Sequence, residues 1–314
     1  MEKGGKTLAL LIASTFVYAL NGTFEYLLIK SFSIYLFFFL WSLGSILSVP
    51  IIIRAMRMRN DLLSDIRKHL PSIVGGVLLV VFNLSLFMAF KSYYLAGIYP
   101  LIATSSLVFF GIDVAKYKRR LSKSEVSIVT LGILLVIIGV YFAESSGSFA
   151  FDFAALPFII VIMLFAGFGY YLVFYNIRKY SVGSKISSIS ISSFAASFFI
   201  LLFAPANAFA GIKPVLALGV LAAGAFYVAA VALELKAVKI NESRKLYKSV
   251  VSKNFINNFT YLDTVLVLIF SVAIGSFSIS EIVGGLFIVF RVVVIELFCG
   301  SEFPCMNVAF SCNN

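Results

Sequence analysis

Ser14, Tyr18, Asn21 and Glu25 follow one another at intervals of four, three and four residues. On an α-helix that spacing places all four on one face. Almost everything between them is apolar, so the face is a polar stripe on a hydrophobic helix. Against lipid such a stripe is unfavourable, and it should turn toward protein. An ionisable group in that setting is costly and is usually tied to function. Glu25 has the chemistry to bind a substrate amine or a proton. The competing reading places Glu25 about one turn from a water boundary, where the carboxylate is simply solvated.

Other residues offer weaker chemistry. Asn83 lies deep in "VVFNLSLF", where an amide needs a partner on another helix or on a substrate. Pro100 removes one backbone N–H and frees a carbonyl, with Thr104, Ser105 and Ser106 close behind. That segment either bends around a cavity or packs against protein. Tyr170 and Tyr171 follow Gly167 and Gly169, and Tyr227 follows Gly219 and Ala223. These rings can stack on or hydrogen-bond a ligand, or serve as structural rings in a chain that is 16% aromatic. The small residues beside them favour close helix approach. Lys91 and Lys239 each end an apolar run. Each either snorkels to an interface or acts as a gate that attracts anionic groups. Arg291 falls inside an apolar run and requires a partner such as Glu25 or Asp263, or water.

Several chemistries are disfavoured. The chain has a single histidine, His69, and its three cysteines, Cys299, Cys305 and Cys312, all fall at the C-terminal end. Neither set has metal-ligand spacing or suggests a disulfide framework. We expect no metal and no cofactor. An intramembrane enzyme needs paired acids, a His/Glu metal set or a serine with a base, and the apolar runs are read as offering no acidic pair and no histidine.

These residues must be positioned by elements suited to lipid. The chain is 61% hydrophobic and 12% charged, against roughly half and a quarter in soluble domains. Apolar runs able to cross about 30 Å of hydrocarbon need about 20 residues. Ten candidates lie near 7–29, 33–53, 71–90, 93–113, 124–143, 153–175, 187–205, 213–235, 259–277 and 280–298. The first is read as an uncleaved span, being longer than a signal-peptide core. With the N-terminus inside, the inner segments hold 21 of the 25 Lys and Arg, the outer ones hold Lys30, Lys91 and Lys213, and Arg291 is within a span. That is a strong positive-inside pattern. It predicts a multi-pass cell-membrane protein with both termini cytoplasmic, and it explains the net charge of +11 without nucleic acid.

"FMAFK" (87–91) and "ELKAVK" (234–239) each place an alanine two residues before a lysine at the end of a run, and "LGILLVIIGV" (131–140) is similar to "VGGLFIVFRV" (283–292). Each half holds five spans, and an odd number forces the second half to insert upside down. The expected fold is therefore all-α integral membrane, with ten transmembrane helices as two inverted five-helix repeats, 1–146 and 147–298. A cytoplasmic tail at 299–314 follows. Inverted repeats are the usual build of alternating-access carriers. The halves differ by nine extra residues between Lys239 and Asp263 compared with Lys91 to Ser106.

"AFKSYYLAGIYPLIATSSLVFFGI", then "RRLS", then "LGILLVIIGV" with Gly132 and Gly139, resembles one half of an EamA-type transporter of the drug/metabolite transporter superfamily. "ALNGTFEYLLIK" (19–30) is similar to that family's first span and "FAGFGYYLVFYNIRK" (165–179) to its sixth. The second half departs from the pattern at Asp263, Ser276 and Arg291, and the first half at Arg119. The resemblance implies a ten-helix carrier of amino acids, other metabolites or drugs, often working outward. A small-molecule substrate, proton coupling, a lipid bilayer and a monomer or homodimer are the corresponding partners and state. The substrate-contact set read from the sequence is Tyr18, Asn21, Glu25, Asn83, Pro100, Ser105, Tyr170, Tyr171 and Tyr227. The departures keep a second reading open, a non-transporting or regulatory homologue.

Overall fold

The computed structural model describes residues 2–63, 66–105, 156–174, 180–209, 213–242 and 262–299, with scattered positions between 108 and 139. Among them the regular structure is helical, with no strand. The helices are α1 (Glu2–Ile29), α2 (Ile34–Ala55), α3 (Ile66–Ser92) and the short α4 (Leu95–Ile98), which runs into a 3₁₀ segment at Tyr99–Thr104. Then come α5 (Leu156–Phe174), α6 (Val182–Leu201), α7 (Pro214–Glu242), α8 (Leu262–Ala273) and α9 (Ile279–Cys299). A further 3₁₀ turn, Ala206–Phe209, precedes α7. Six helices, α1–α3 and α5–α7, are long and apolar enough to cross a membrane, and α8 and the first part of α9 are shorter apolar helices.

Capping chemistry sets several boundaries. Ser33 caps α2 by accepting from Leu36 N at 3.3 Å, and Ser181 caps α6 by accepting from Ser184 N at 3.1 Å. α9 opens with a capping box: Ser278 Oγ accepts from Glu281 N, and Glu281 Oε2 accepts from Ser278 N at 2.6 Å. Two left-handed residues end helices, Arg57 (φ 51°) after α2 and Gly275 (φ 68°) after α8.

Some boundaries differ from those read in the sequence. α6 begins at Val182 rather than near 187, so Lys185, counted above as a loop cation, is inside a helix and fully buried. The Ser181 cap explains the earlier start. α3 begins at Ile66, which brings His69 into a long apolar helix and corrects the expectation that the spans hold no histidine. α7 continues through Lys236 and Lys239 to Glu242. The ninth run yields only the twelve-residue α8. Gly132, Ser106 and residues 243–261 and 300–314 lie outside the described residues, as does the side chain of Arg291.

The chain divides into two compact units. Unit 1 is Met1–Ser92 with Gly169–Lys245, and unit 2 is Tyr93–Phe168 with Leu246–Asn314. Each draws on both halves of the sequence. In unit 1, α2 packs on α6 and α7, α1 on α7 and α3, and α3 on α6. The rings of Phe37, Phe38, Trp41 and Phe87, all 0% exposed, form a stack between α2 and α3, with Phe37 and Phe87 centroids 5.0 Å apart. In lipid, such packing and interhelical hydrogen bonds hold helices together, because the tails are as apolar as the side chains. α2 and α7 meet closely where Gly44 faces the Leu221 backbone and Gly224 faces the Trp41 carbonyl and Ser45. Ser45 Oγ donates to Gly224 O across this contact at 3.1 Å. In unit 2, α4 and the 3₁₀ segment pack against α8 and α9.

Contacts in unit 1 recur at one step along the chain. Lys91 Nζ donates to Phe32 O at 2.6 Å, and Lys239 Nζ donates to Tyr180 O at 2.6 Å, each across 59 residues. A step of 148 (239 less 91) takes the first pair onto the second. It also takes the cap Ser33 onto Ser181. The same step carries Gly76, which faces Ile189 and Ser192, onto Gly224, which faces Trp41 and Ser45.

Candidate functional site

The polar stripe of α1 faces the interior of unit 1. Ser14, Asn21 and Glu25 are 1%, 3% and 5% exposed, while Ile12, Phe16, Leu20 and Leu27 face outward. Ser14 Oγ donates to Ala230 O at 2.9 Å, and Tyr18 OH donates to Glu234 Oε2 at 3.1 Å, so two turns of the stripe are bonded to α7.

Glu25 is the centre of the arrangement. Its Oε1 accepts from Asn21 Nδ2 and from Trp41 Nε1, both at 2.6 Å. Both bonds are short and come from neutral N–H donors. They hold the carboxylate inside protein rather than at a water boundary. Both donors converge on Oε1, which leaves Oε2 without a protein donor.

Trp41 links this carboxylate to Tyr227 of α7, with ring centroids 4.9 Å apart. Tyr227 also meets Tyr18 edge to face at 6.4 Å. Its hydroxyl is buried without a hydrogen bond, as are Asn83 Nδ2 and Asn21 Oδ1. Asn83 and Tyr170 face the Tyr227 hydroxyl without reaching hydrogen-bond geometry, and the carboxylates of Glu25 and Glu234 both bear on it electrostatically. Most buried polar side-chain atoms are paired, so three unpaired ones around one patch call for explanation. Tyr170 packs on Phe82 at 6.2 Å. Tyr171 is half-buried on the same helix.

Tyr18, Asn21, Glu25, Asn83, Tyr170, Tyr171 and Tyr227 thus all belong to unit 1, and all but Tyr171 gather around Glu25, Trp41 and Tyr227. Pro100 and Ser105 belong to unit 2. Pro100 stands in the 3₁₀ segment, buried, with its Cγ 3.1 Å from where a Cβ on Gly285 would be. The backbone is irregular as the proline suggests, and here it is packed against α9. In the same unit Tyr99 OH donates to Asp263 Oδ2 at 3.3 Å, and Gly139 lies against the Gly284 carbonyl.

Lys91 and Lys239 each place the ammonium group on a backbone carbonyl, of Phe32 and of Tyr180, the residues just before the Ser33 and Ser181 caps of α2 and α6. Lys236 does the same on Met56 O at 2.7 Å. Lys185 donates to Val173 O at 2.5 Å and Ser72 Oγ at 3.2 Å, and lies 5.7 Å from the Tyr180 ring centroid.

Two contributors to the patch were not read from the sequence, Trp41 and Glu234. An indole N–H deep in an apolar run must find an acceptor, and that signal pointed to Trp41. Glu234 stands in "ELKAVK", beside two lysines at the end of an apolar run. Glu25 and Glu234 both lie in long apolar helices, and both bear electrostatically on the Tyr227 hydroxyl.

A second polar cluster joins the α2–α3 turn to the start of α6. Asp61 Oδ1 accepts from Ser181 Oγ at 2.7 Å and from Ser184 Oγ, and its backbone N–H donates to Ser184 Oγ at 2.7 Å. Asn60 Nδ2 donates to Ser187 Oγ at 2.9 Å. His69 Nε2 approaches Asp61 Oδ1 at 3.4 Å, while His69 Nδ1 is buried without a partner. The Ser184 hydroxyl, then that of Ser181, holds the Asp61 carboxyl below the usual carboxylate range, against a smaller opposing effect of burial. No group of three or more His, Cys, Asp or Glu suited to a metal occurs among the described residues.

No family model and no curated protein matches the chain. One solved structure, described only as a crystal structure of a protein, is similar over 95% of this chain and 98% of its own, with a TM-score of 0.54 and 16% identity. That likeness concerns the fold alone.

Proposed function

We propose that the chain is an EamA-type secondary transporter of the drug/metabolite superfamily, built as ten transmembrane helices in two inverted five-helix repeats. It moves a small metabolite across the cell membrane by alternating access. The observation that carries this reading is the patch around Glu25. A carboxylate, an indole, two amides and tyrosines are gathered inside apolar helices, with three buried polar atoms unpaired. Polar groups are retained in lipid-embedded helices mainly where they serve a pathway or a site.

The repeat reading is supported by the 148-residue step that maps lysine–carbonyl contacts, helix caps and glycine contacts onto one another. It is further supported by the way the units are drawn, since each takes corresponding parts of both halves. The inverted sense follows from five spans per half.

The test is solute flux. Purified protein reconstituted in liposomes is expected to move at least one member of a broad panel of amino acids, amines, sugars and organic acids, by counterflow or with a pH gradient. Absence of flux for the whole panel, from protein that remains folded, would overturn the transport reading.

A further inference from the structure

We propose that the Glu25 patch recognises an organic cation, a protonated amine, held by Glu25 Oε2 and Asn21 Oδ1 against the rings of Trp41 and Tyr227. As an account of cargo this rests on the transport reading; as an account of binding it stands on the patch itself.

Charge is the first argument. Glu25 has both of its hydrogen bonds from neutral donors, Asn21 and Trp41. The lysines at or just beyond the ends of α1, α3 and α7 are engaged elsewhere. Lys30 Nζ donates to Tyr26 OH at 2.6 Å, and Lys91, Lys236 and Lys239 sit on backbone carbonyls. Glu234 adds a second carboxylate that bears on the same tyrosine. A patch of this sign repels carboxylate and phosphate ligands and attracts cations.

Hydrogen-bond inventory is the second. A primary ammonium carries three donors and no acceptor. The atoms left without a donor are a carboxylate oxygen, Glu25 Oε2, and a buried amide oxygen, Asn21 Oδ1, with the Tyr227 hydroxyl able to accept as well. A carboxylic acid or sugar ligand would bring its own acceptors to a patch already rich in them. Asn83 Nδ2 and the Tyr227 O–H are unpaired donors there, and either can serve a hydroxyl or carbonyl elsewhere on the ligand.

The rings are the third. Trp41 and Tyr227 are inclined at 47° with centroids 4.9 Å apart, and Tyr18 closes on Tyr227 at 71°. Ring faces carry negative potential and attract ammonium groups, Trp most strongly. Carboxylate, amide oxygen and ring faces together complement a cationic head group joined to an apolar body.

The test uses three solutes of one skeleton and different charge: phenethylamine, 2-phenylethanol and phenylacetate. Binding to the purified full chain is measured by calorimetry, and flux in liposomes, at neutral pH. The amine should bind at least about ten-fold more tightly than the other two, a difference of about 1.4 kcal/mol. Glu25→Gln should remove that preference while leaving the elution profile and melting temperature near wild type, and Glu25→Asp should restore part of it. Equal or tighter binding of the alcohol or the carboxylate overturns the proposal, as does a preference that survives Glu25→Gln, or no binding of any of the three. Should Glu25→Gln fail to fold, the wild-type charge comparison still decides. Flux separates the two readings. Amine binding without flux of any solute keeps the site and sinks transport. Flux of carboxylates or neutral solutes without amine binding keeps transport and sinks the cation site.

Discussion

At the scale of single residues, short bonds from uncharged donors fix the two acids that matter most. Trp41 Nε1 donates to Glu25 at 2.6 Å. Trp41→Phe leaves the ring stack and removes the donor, so it should lower stability by about 1–3 kcal/mol, read as a lower melting temperature in detergent. Asp61, outside the long apolar helices, is the counterpart. Its carboxyl is held below the ordinary range by the Ser184 and Ser181 hydroxyls. A lowered folded-state value means the stabilisation is complete above the unfolded value of about 4 and fades as pH falls through the lower folded value. Asp61→Asn should therefore reduce the melting temperature at neutral pH, and the gap from wild type should close as the pH drops below about 4; a gap independent of pH would contradict this. The α1 stripe was legible in the sequence because a helical period needs only one segment to be seen. Trp41 and Glu234 were not, because their partners lie 16 and 216 residues away. Lys185 reads as a loop charge beside a run, and only the packing of α3 and α5 around α6 reveals that carbonyl and hydroxyl groups receive it.

At the scale of elements, glycines decide how near two helices come. "GVLAAGAFYVAA" suggested close approach at Gly219 and Ala223. The closest approach is one residue beyond Ala223, at Gly224, where an added methyl would meet the Trp41 carbonyl. Gly219 has only ordinary contacts, nearest at 3.4 Å to Leu28. Gly224→Ala should thus separate α2 from α7 and cost about 1–3 kcal/mol by overpacking, whereas Gly219→Ala should stay within about 0.5 kcal/mol. Paired melting curves of the two variants check this, and equal effects would contradict it. Sequence gives small-residue spacing but not helix rotation, so it located the interface and missed its contact point by a residue. Pro100 shows the same division. Its irregular backbone was foreseeable, while its neighbour, Gly285 on α9, comes from far along the chain.

At the scale of the whole molecule, composition and charge distribution were the most informative parts of the sequence, since lipid imposes length and polarity on every segment that crosses it. With 21 of 25 basic residues on one side of the proposed topology, a green fluorescent protein fused to the C-terminus should fluoresce and a fused alkaline phosphatase should be inactive; the reverse would overturn the inside assignment. The contact units could not be read in advance, because each joins segments from both halves of the chain. One property belongs to the molecule as a whole. Among 314 residues there is a single tryptophan, and it is the one whose indole N–H bonds Glu25 and whose ring lies against Tyr227. Emission excited selectively in tryptophan therefore originates at this one patch. Any solute, proton or substitution that alters the Glu25 carboxylate should shift or quench that emission, so the unlabelled chain carries its own optical probe.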